Sequence, residues 1–548
     1  MFADDIFPKL EFTEEELEAK YPARQLPAGA MVTRICPSPT GFMHIGGVYA
    51  ALICERIAHQ TGGVFYLRIE DTDRKREVAG ADAIIVNAFN AFGIQLDEGE
   101  VTLGTEQGAY GPYRQSNRGN IYDVYIHKLL AQDLAYPCFC SVEDLDELRK
   151  RQEAIKVRPG YYGEYATCRH RSADEVANFL ASGKEYIIRF KSRGDYSKRV
   201  VIEDAIRGTL NMPENDQDII IRKADGLPTY HLAHAVDDHL MRTTHVLRAD
   251  EWLPSIPLHV QLFQSLGWQI PVYGHIAPIE KMEGSSRRKL SKRKDPEASV
   301  EFYYKEGYPI PALVEYMLNL ANSNFEDWRV SHPTTDYKEF PLSLDRIGKS
   351  GALFDFVKLA NISQNIIGSY TPEETYQHSL TWAKQYDPEL ASEMEQQKDY
   401  CLAIFNIERE AVKTRKDLSK WADLRNSIGY FFDTEFAKLS IDWSEVFSSL
   451  DQKDAPILVS KFLETYDPAD TKEAWFEKLK AVAVSCGYSD NIKEYKKDPG
   501  TFKGHVGDVA KLLRVALAGK NQSPDLSEVM RVMGTDRTTQ RLQAIPNM

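Results

Sequence analysis

Apolar and polar positions along the first hundred residues follow two periods in turn. Residues 31–36 are short, β-branched and largely apolar, which predicts a strand. Residues 44–59 place Ala, Leu, Ile and Cys on one side at helical spacing, with a Pro- and Gly-shaped turn at residues 37–41 before them. Residues 63–70 read as a second strand and 78–92 as a second helix. Strand–helix–strand–helix within about sixty residues predicts a doubly wound parallel sheet. Residues 116–217 break this pattern, with more Tyr and charge and shorter segments, and read as an insertion. Apolar runs at 218–222 and 245–250 predict that the same sheet resumes afterwards. Residues 296–351 form a mixed connecting region, and from 352 to 548 helical patterns predominate. Residues 1–31 form an extension in which Thr13 and Glu16 signal a capped short helix before Pro22 and Pro27.

The expected fold is therefore α/β. A Rossmann-like catalytic domain is split between 32–115 and 218–295, the insertion occupies 116–217, and a helical region ends the chain. Composition narrows the class. With 43% hydrophobic and 11% aromatic residues, and no apolar run of membrane length, the chain reads as a soluble cytoplasmic protein. The acidic start lacks the basic character of a targeting segment. Seven scattered cysteines do not make a disulfide framework. The net charge of −14 argues against a nucleic-acid partner only on average, because residues 281–294 hold seven Lys and Arg against the single acid Glu283.

Two stretches carry chemistry. In Pro37-Ser-Pro-Thr-Gly-Phe-Met-His-Ile-Gly-Gly47, glycines and a helix start suit a phosphate, with His44 as a donor. In Arg287-Arg-Lys-Leu-Ser-Lys-Arg-Lys294, Lys289 and Lys292 on a loop suit the β- and γ-phosphates of a nucleotide; by itself such a run reads rather as a solvated basic loop, which is what most charge runs are. Together, as His44-Ile-Gly-Gly47 and Lys289-Leu-Ser-Lys-Arg293, they resemble the two signatures of class I aminoacyl-tRNA synthetases. The fuller matches resemble the bacterial glutamyl-tRNA synthetases. They are Arg34 to Gly47, Leu67-Arg-Ile-Glu-Asp-Thr-Asp73, Tyr113-Arg-Gln-Ser-Asn-Arg118, Tyr230-His-Leu-Ala-His-Ala-Val-Asp-Asp-His-Leu-Met241 and Leu247-Arg-Ala-Asp-Glu-Trp252.

The resemblance implies roles. Arg34 and Arg248 would face substrate carboxylate, and a planar guanidinium suits that task. Ser38, Glu70, Tyr230 and His234 would complete the glutamate pocket, His234 standing where the family usually has Asn. Thr40, Gly41, His44, Gly46, Ala249, Glu251, Trp252, Leu290 and Lys292 would take ATP, with His44, Lys289 and Lys292 as the catalytic charges and Mg²⁺ on the phosphates. The insertion would hold the acceptor end of tRNA(Glu), residues 296–351 would contact its stem, and 352–548 its anticodon, in a monomer that needs tRNA before it activates L-glutamate. Glutaminyl-tRNA synthetase is the nearest competitor, but Ser38 and Thr40 stand where that family has other residues, and the helical end of this chain differs from its β-barrels. A catalytically silent tRNA-binding relative is the other alternative. Cys138, Cys140, Cys168 and His170 form Cys-x-Cys and Cys-x-His pairs, a donor set suited to zinc.

Overall fold

The computed structural model describes residues 2–102, 104–291, 293–409 and 415–545. The chain divides into two compact units, Met1–Phe302 with Val314–Asp355, and Tyr303–Leu313 with Phe356–Met548.

In the first unit, strand Val32–Ile35 pairs in parallel with Val64–Leu67, Arg34 opposite Tyr66, and helix Ile45–Gln60 makes the crossover. Helix Ala81–Ala91 follows. Strands His245–Ala249 and Val272–Ile276 form the second parallel pair around helix Ile256–Leu266. The two pairs meet at Thr244, whose amide donates to the Val32 carbonyl at 3.1 Å and whose hydroxyl accepts from the Val32 amide at 2.8 Å. Arg34 and Arg248 thus stand on neighbouring strands near their C-terminal ends, where ligands bind in open α/β sheets.

Two elements depart from expectation. Strand Ile220–Arg222 does not resume the parallel sheet; it pairs antiparallel with Ile187–Phe190, which pairs antiparallel with Ala135–Cys138. A short apolar run looks alike in either setting, so periodicity does not identify its partner. The hairpin Arg199–Asp204 and Gly208–Pro213, inside the expected insertion, joins the second parallel pair through Asp204 opposite Tyr273.

The N-terminal extension is ordered into this unit. Thr13 and Glu16 form the expected capping box of helix Glu14–Lys20. Ala3, Phe7, Leu17 and Tyr21 join the core that also contains Tyr113, Ile121 and Tyr125. Glu14 pairs with Lys128 at 2.5 Å, and Glu18 with His239 and Arg242 at 2.7 and 2.6 Å.

The second unit is helical. Thr371 and Glu374 cap Pro372–Tyr386 in a capping box with Pro at the first turn. His505 caps Val506–Ala518, which ends on Gly519 at φ +69°, a left-handed position that glycine adopts without steric cost. Leu479, Val509, Leu513 and Met530 lie in its fully buried core. No described helix is long and apolar enough to cross a membrane.

Candidate active site

A cavity of about 530 Å³ opens between the two parallel strand pairs, within the size range of small-molecule sites. Below it lies a layer of buried charge. Arg34, 3% exposed, donates to both oxygens of Asp238 at 3.2–3.3 Å and to the Leu247 carbonyl at 3.3 Å. Asp238 also receives Arg68 at 2.7 Å and lies 2.8 Å from Nδ1 of His234. Burial alone would raise the Asp238 carboxyl, but Arg34 and Arg68 outweigh it and hold the group well below the usual carboxylate range. The adjacent Asp237 takes Arg118, Gln115 and the Tyr122 hydroxyl at 2.6, 2.8 and 2.9 Å.

Glu70 lines the cavity 3.1 Å from Arg68, and burial pushes its carboxyl upward in spite of that partner. Ser38 and Tyr230 also line it. Arg248 differs from Arg34. It is 7% exposed, and its Nε donates to Nε2 of His275 at 3.0 Å. Nη1 donates to the Tyr230 hydroxyl at 3.2 Å, both terminal nitrogens stand 3.3 Å from Nδ1 of His259, and Nη2 donates to the Trp252 carbonyl at 3.4 Å. Among the described residues Arg248 forms no ion pair with any carboxylate.

On the opposite wall His44 caps helix Ile45–Gln60, its Nδ1 accepting from the Gly46 amide at 2.9 Å. Glycine suits position 46 because a Cβ there would stand 3.0 Å from that ring nitrogen. The helix N-terminus adds a partial positive charge beside His44. Ala249, Glu251, Trp252 and Leu290 complete the wall, with the Trp252 ring 4.2 Å from Tyr230. Lys289 ends strand Ser286–Lys289 and pairs with Glu251 at 2.5 Å. Asp295 anchors this loop, accepting from Arg288 at 2.6 and 2.9 Å, from the Ser291 amide at 2.8 Å and from Lys281 at 3.0 Å. Lys292 lies outside the described residues.

Three expected residues are not on the wall. Thr40 and Gly41 belong to the turn that leads to it, Gly41 at φ +119°. His234 is fully buried behind Tyr230, its Nε2 3.1 Å from the Tyr273 hydroxyl, so it supports the pocket from behind. Conversely, Asp238, His259, His275 and the stretch 276–279 belong to the site or its support and were not singled out. Asp237 and Asp238 left a trace in the sequence, as two acids on the apolar face of one helix.

The insertion brings Cys138, Cys140 and Cys168 together, their sulfurs within 4.8 Å of one another. His170 is not in that group; its Nε2 lies 2.9 Å from the Gly163 carbonyl. The Tyr161 hydroxyl lies beside the group, 3.5 Å from the Cys138 sulfur and 3.3 Å from that of Cys140. Three thiols supply three of the four ligands of a tetrahedral zinc site, and the expected imidazole is not the fourth.

Comparison with known proteins agrees with this geometry. Residues 30–329 match the family described as tRNA synthetases class I (E and Q), catalytic domain, and residues 381–546 match an anticodon binding domain. A glutamate–tRNA ligase of Clostridium perfringens is 47% identical over 98% of this chain and 99% of its own length. One from Acetivibrio thermocellus is 45% identical over 99% of both chains. The crystal structure of a glutamate tRNA ligase from Elizabethkingia meningosepticum in complex with its amino acid superposes with a TM-score of 0.74 at 27% identity, over 94% of this chain and all of that one. A buried arginine without a carboxylate partner among the described residues, a helix-capping histidine and these likenesses converge: the chain belongs to the class I tRNA synthetases of the E and Q type, and among them to the glutamate–tRNA ligases.

Proposed function

We propose that the Arg248 side of the cavity receives L-glutamate and the side of His44, Ala249, Glu251, Trp252 and Leu290 receives ATP. The observation that carries this is Arg248. A buried guanidinium without a counter-ion is costly, and a ligand carboxylate offsets that cost. Arg34 already has a carboxylate partner in Asp238, which it shares with Arg68, whereas Arg248 has none among the described residues, so the weight of carboxylate recognition shifts to Arg248. Glu70 supplies an anion suited to the substrate ammonium, with Ser38 and Tyr230 as polar neighbours.

The enzyme joins glutamate to its tRNA at the expense of ATP. The α-carboxylate of glutamate attacks the α-phosphorus of ATP, forming glutamyl-adenylate and releasing diphosphate. The terminal ribose hydroxyl of the tRNA then attacks the activated carbonyl and AMP leaves. The first nucleophile is already ionised, so positioning and charge stabilisation carry the step. His44, Lys289 and Lys292 would supply that stabilisation. Mg²⁺ would offset charge on the nucleotide phosphates.

The same reading gives residues 116–217 the acceptor end of tRNA(Glu), 296–351 its stem and 352–548 its anticodon, with tRNA bound before activation. Phosphate contacts would make that binding salt-sensitive. It also takes the enzyme as a cytoplasmic monomer; the seven unpaired cysteines are in keeping with a reducing compartment. Glutamate-dependent ATP–pyrophosphate exchange, run with and without tRNA, is the decisive assay. Exchange is expected with glutamate only when tRNA is present. Equal exchange with glutamine would overturn the substrate assignment, and none with either amino acid would favour a silent tRNA-binding relative.

Zinc at Cys138, Cys140 and Cys168 would tie strand Ala135–Cys138 to the turn Thr167–His170. Elemental analysis of the purified protein is expected to find about one equivalent, resistant to His170→Ala and lost in Cys168→Ala. Less than about a tenth of an equivalent in the unsubstituted protein removes the site.

A further inference from the structure

Four histidines cluster beside Arg248: His259 on helix Ile256–Leu266 and His275 on strand Val272–Ile276 contact its guanidinium, and His231 and His234 on helix Tyr230–Leu240 pack against His259. Their proton positions follow from the arginine. A guanidinium only donates, so any ring nitrogen facing it at hydrogen-bond distance is unprotonated. His275 meets Arg248 through Nε2, hence carries its proton on Nδ1 and donates it to Asp204 at 2.6 Å. His259 meets Arg248 through Nδ1, hence carries its proton on Nε2 and donates it to Nδ1 of His231 at 3.0 Å. The other polar and charged groups packed here are Tyr230, Tyr273, His234 with Asp238, and Arg207, whose Nε donates to the His275 carbonyl at 3.1 Å. Burial first, and then the nearby arginines, disfavour the charged rings; His231 is drawn down to about 4 and His234 to about 3, and His259 and His275 are lowered as well.

The two arginines of the cavity are therefore held in opposite ways. Arg34 is held by a carboxylate, Asp238, which fixes it and offsets part of its charge, Arg68 sharing the same partner. Arg248 is held by imidazole nitrogens, which fix it without a carboxylate in direct contact, the nearest one in this network, Asp204, standing behind the His275 ring. We propose that His259 and His275 are positioning residues for glutamate recognition, aiming the Arg248 guanidinium as neutral acceptors so that its direct ion-pairing position is left for a carboxylate of the substrate. This rests on the reading of Arg248 as part of the glutamate site.

The test compares two near-isosteric replacements at position 259. Glutamine reproduces the pattern, with an oxygen to accept from Arg248 and an amide to donate to His231. Glutamate keeps the acceptor but adds a resident counter-ion. In the full aminoacylation assay, His259→Gln is expected to hold the KM for glutamate within about threefold of the parent, and His259→Glu to raise it by about thirtyfold or more with the KM for ATP unchanged. A role in packing alone would not separate the two, and equal glutamate KM values in both variants would overturn the proposal. Should His259→Glu fail to fold, nitrogen NMR of the histidine-labelled parent decides. The signal missing from His259→Gln is expected to be a neutral Nε2–H ring at pH 7, and an imidazolium there would overturn the proposal. Arg248→Gln checks the underlying reading by itself. An unchanged glutamate KM in that variant withdraws Arg248 from the site, whereas a damaged Arg248→Gln beside indistinguishable 259 variants overturns only the imidazole role.

Discussion

Substituting alanine for Lys289 lowers glutamate-dependent ATP–pyrophosphate exchange by about a hundredfold or more while leaving the unfolding temperature unchanged. The two halves of that expectation have separate causes. Lys289 pairs with Glu251, but the side chains are 48% and 56% exposed. Such a pair contributes about 0–1 kcal/mol, so its loss barely affects stability. The same weakness would let the ammonium leave Glu251 for a phosphate at little cost, and on the proposed reading it would meet negative charge that grows along the reaction path. Stopped-flow or steady-state exchange with a parallel thermal melt checks both halves. Exchange within about threefold of the parent would remove Lys289 from the chemistry.

Asp238→Ala has the opposite profile, a large loss of stability. Asp238 is fully buried and answers Arg34, Arg68 and His234 at once. Its removal strands two guanidinium groups in the interior, and breaking a buried pair from one side costs about 3–5 kcal/mol. The pH dependence follows in sign from the depressed carboxyl. Its contribution is complete above the unfolded value of about 3.9 and fades as pH falls from there toward the lower folded value. The gap between parent and variant in urea unfolding is therefore expected to be full at neutral pH and to narrow below about pH 4. A gap under about 1 kcal/mol at pH 7 would show that the arginines find other partners.

Much of the site was legible because its signals are local. The strand, the turn at 37–41 and helix Ile45–Gln60 follow one another, and His44 sits where a helix cap belongs. Thr13 with Glu16 announced its capping box in the same way. The buried layer was not legible for the converse reason. Arg34 and Asp238 are 204 positions apart, and nothing in either neighbourhood names the other. His259 sits in an apolar run, where the residue type says nothing of which nitrogen carries a proton or what it faces. The strand at 220–222 showed its hydrophobicity but not its partner, since that depends on a segment more than thirty residues upstream. His170 had the right spacing to Cys168, but the short turn carrying both leaves the ring on the Gly163 carbonyl.

The N-terminal extension has a practical consequence. The family match begins at residue 30, which invites trimming of everything before it. Yet Phe7, Leu17 and Tyr21 roof the helix Gly119–Ala131, and the Tyr21 hydroxyl reaches the Gly111 carbonyl at 2.9 Å. A chain cut back to the motif boundary would expose a wet seam of tyrosine and isoleucine along that helix. The smallest autonomous catalytic piece therefore starts upstream of the catalytic signature, and a fused tag or partner is better joined by a spacer ahead of Ala3 than grafted at residue 30.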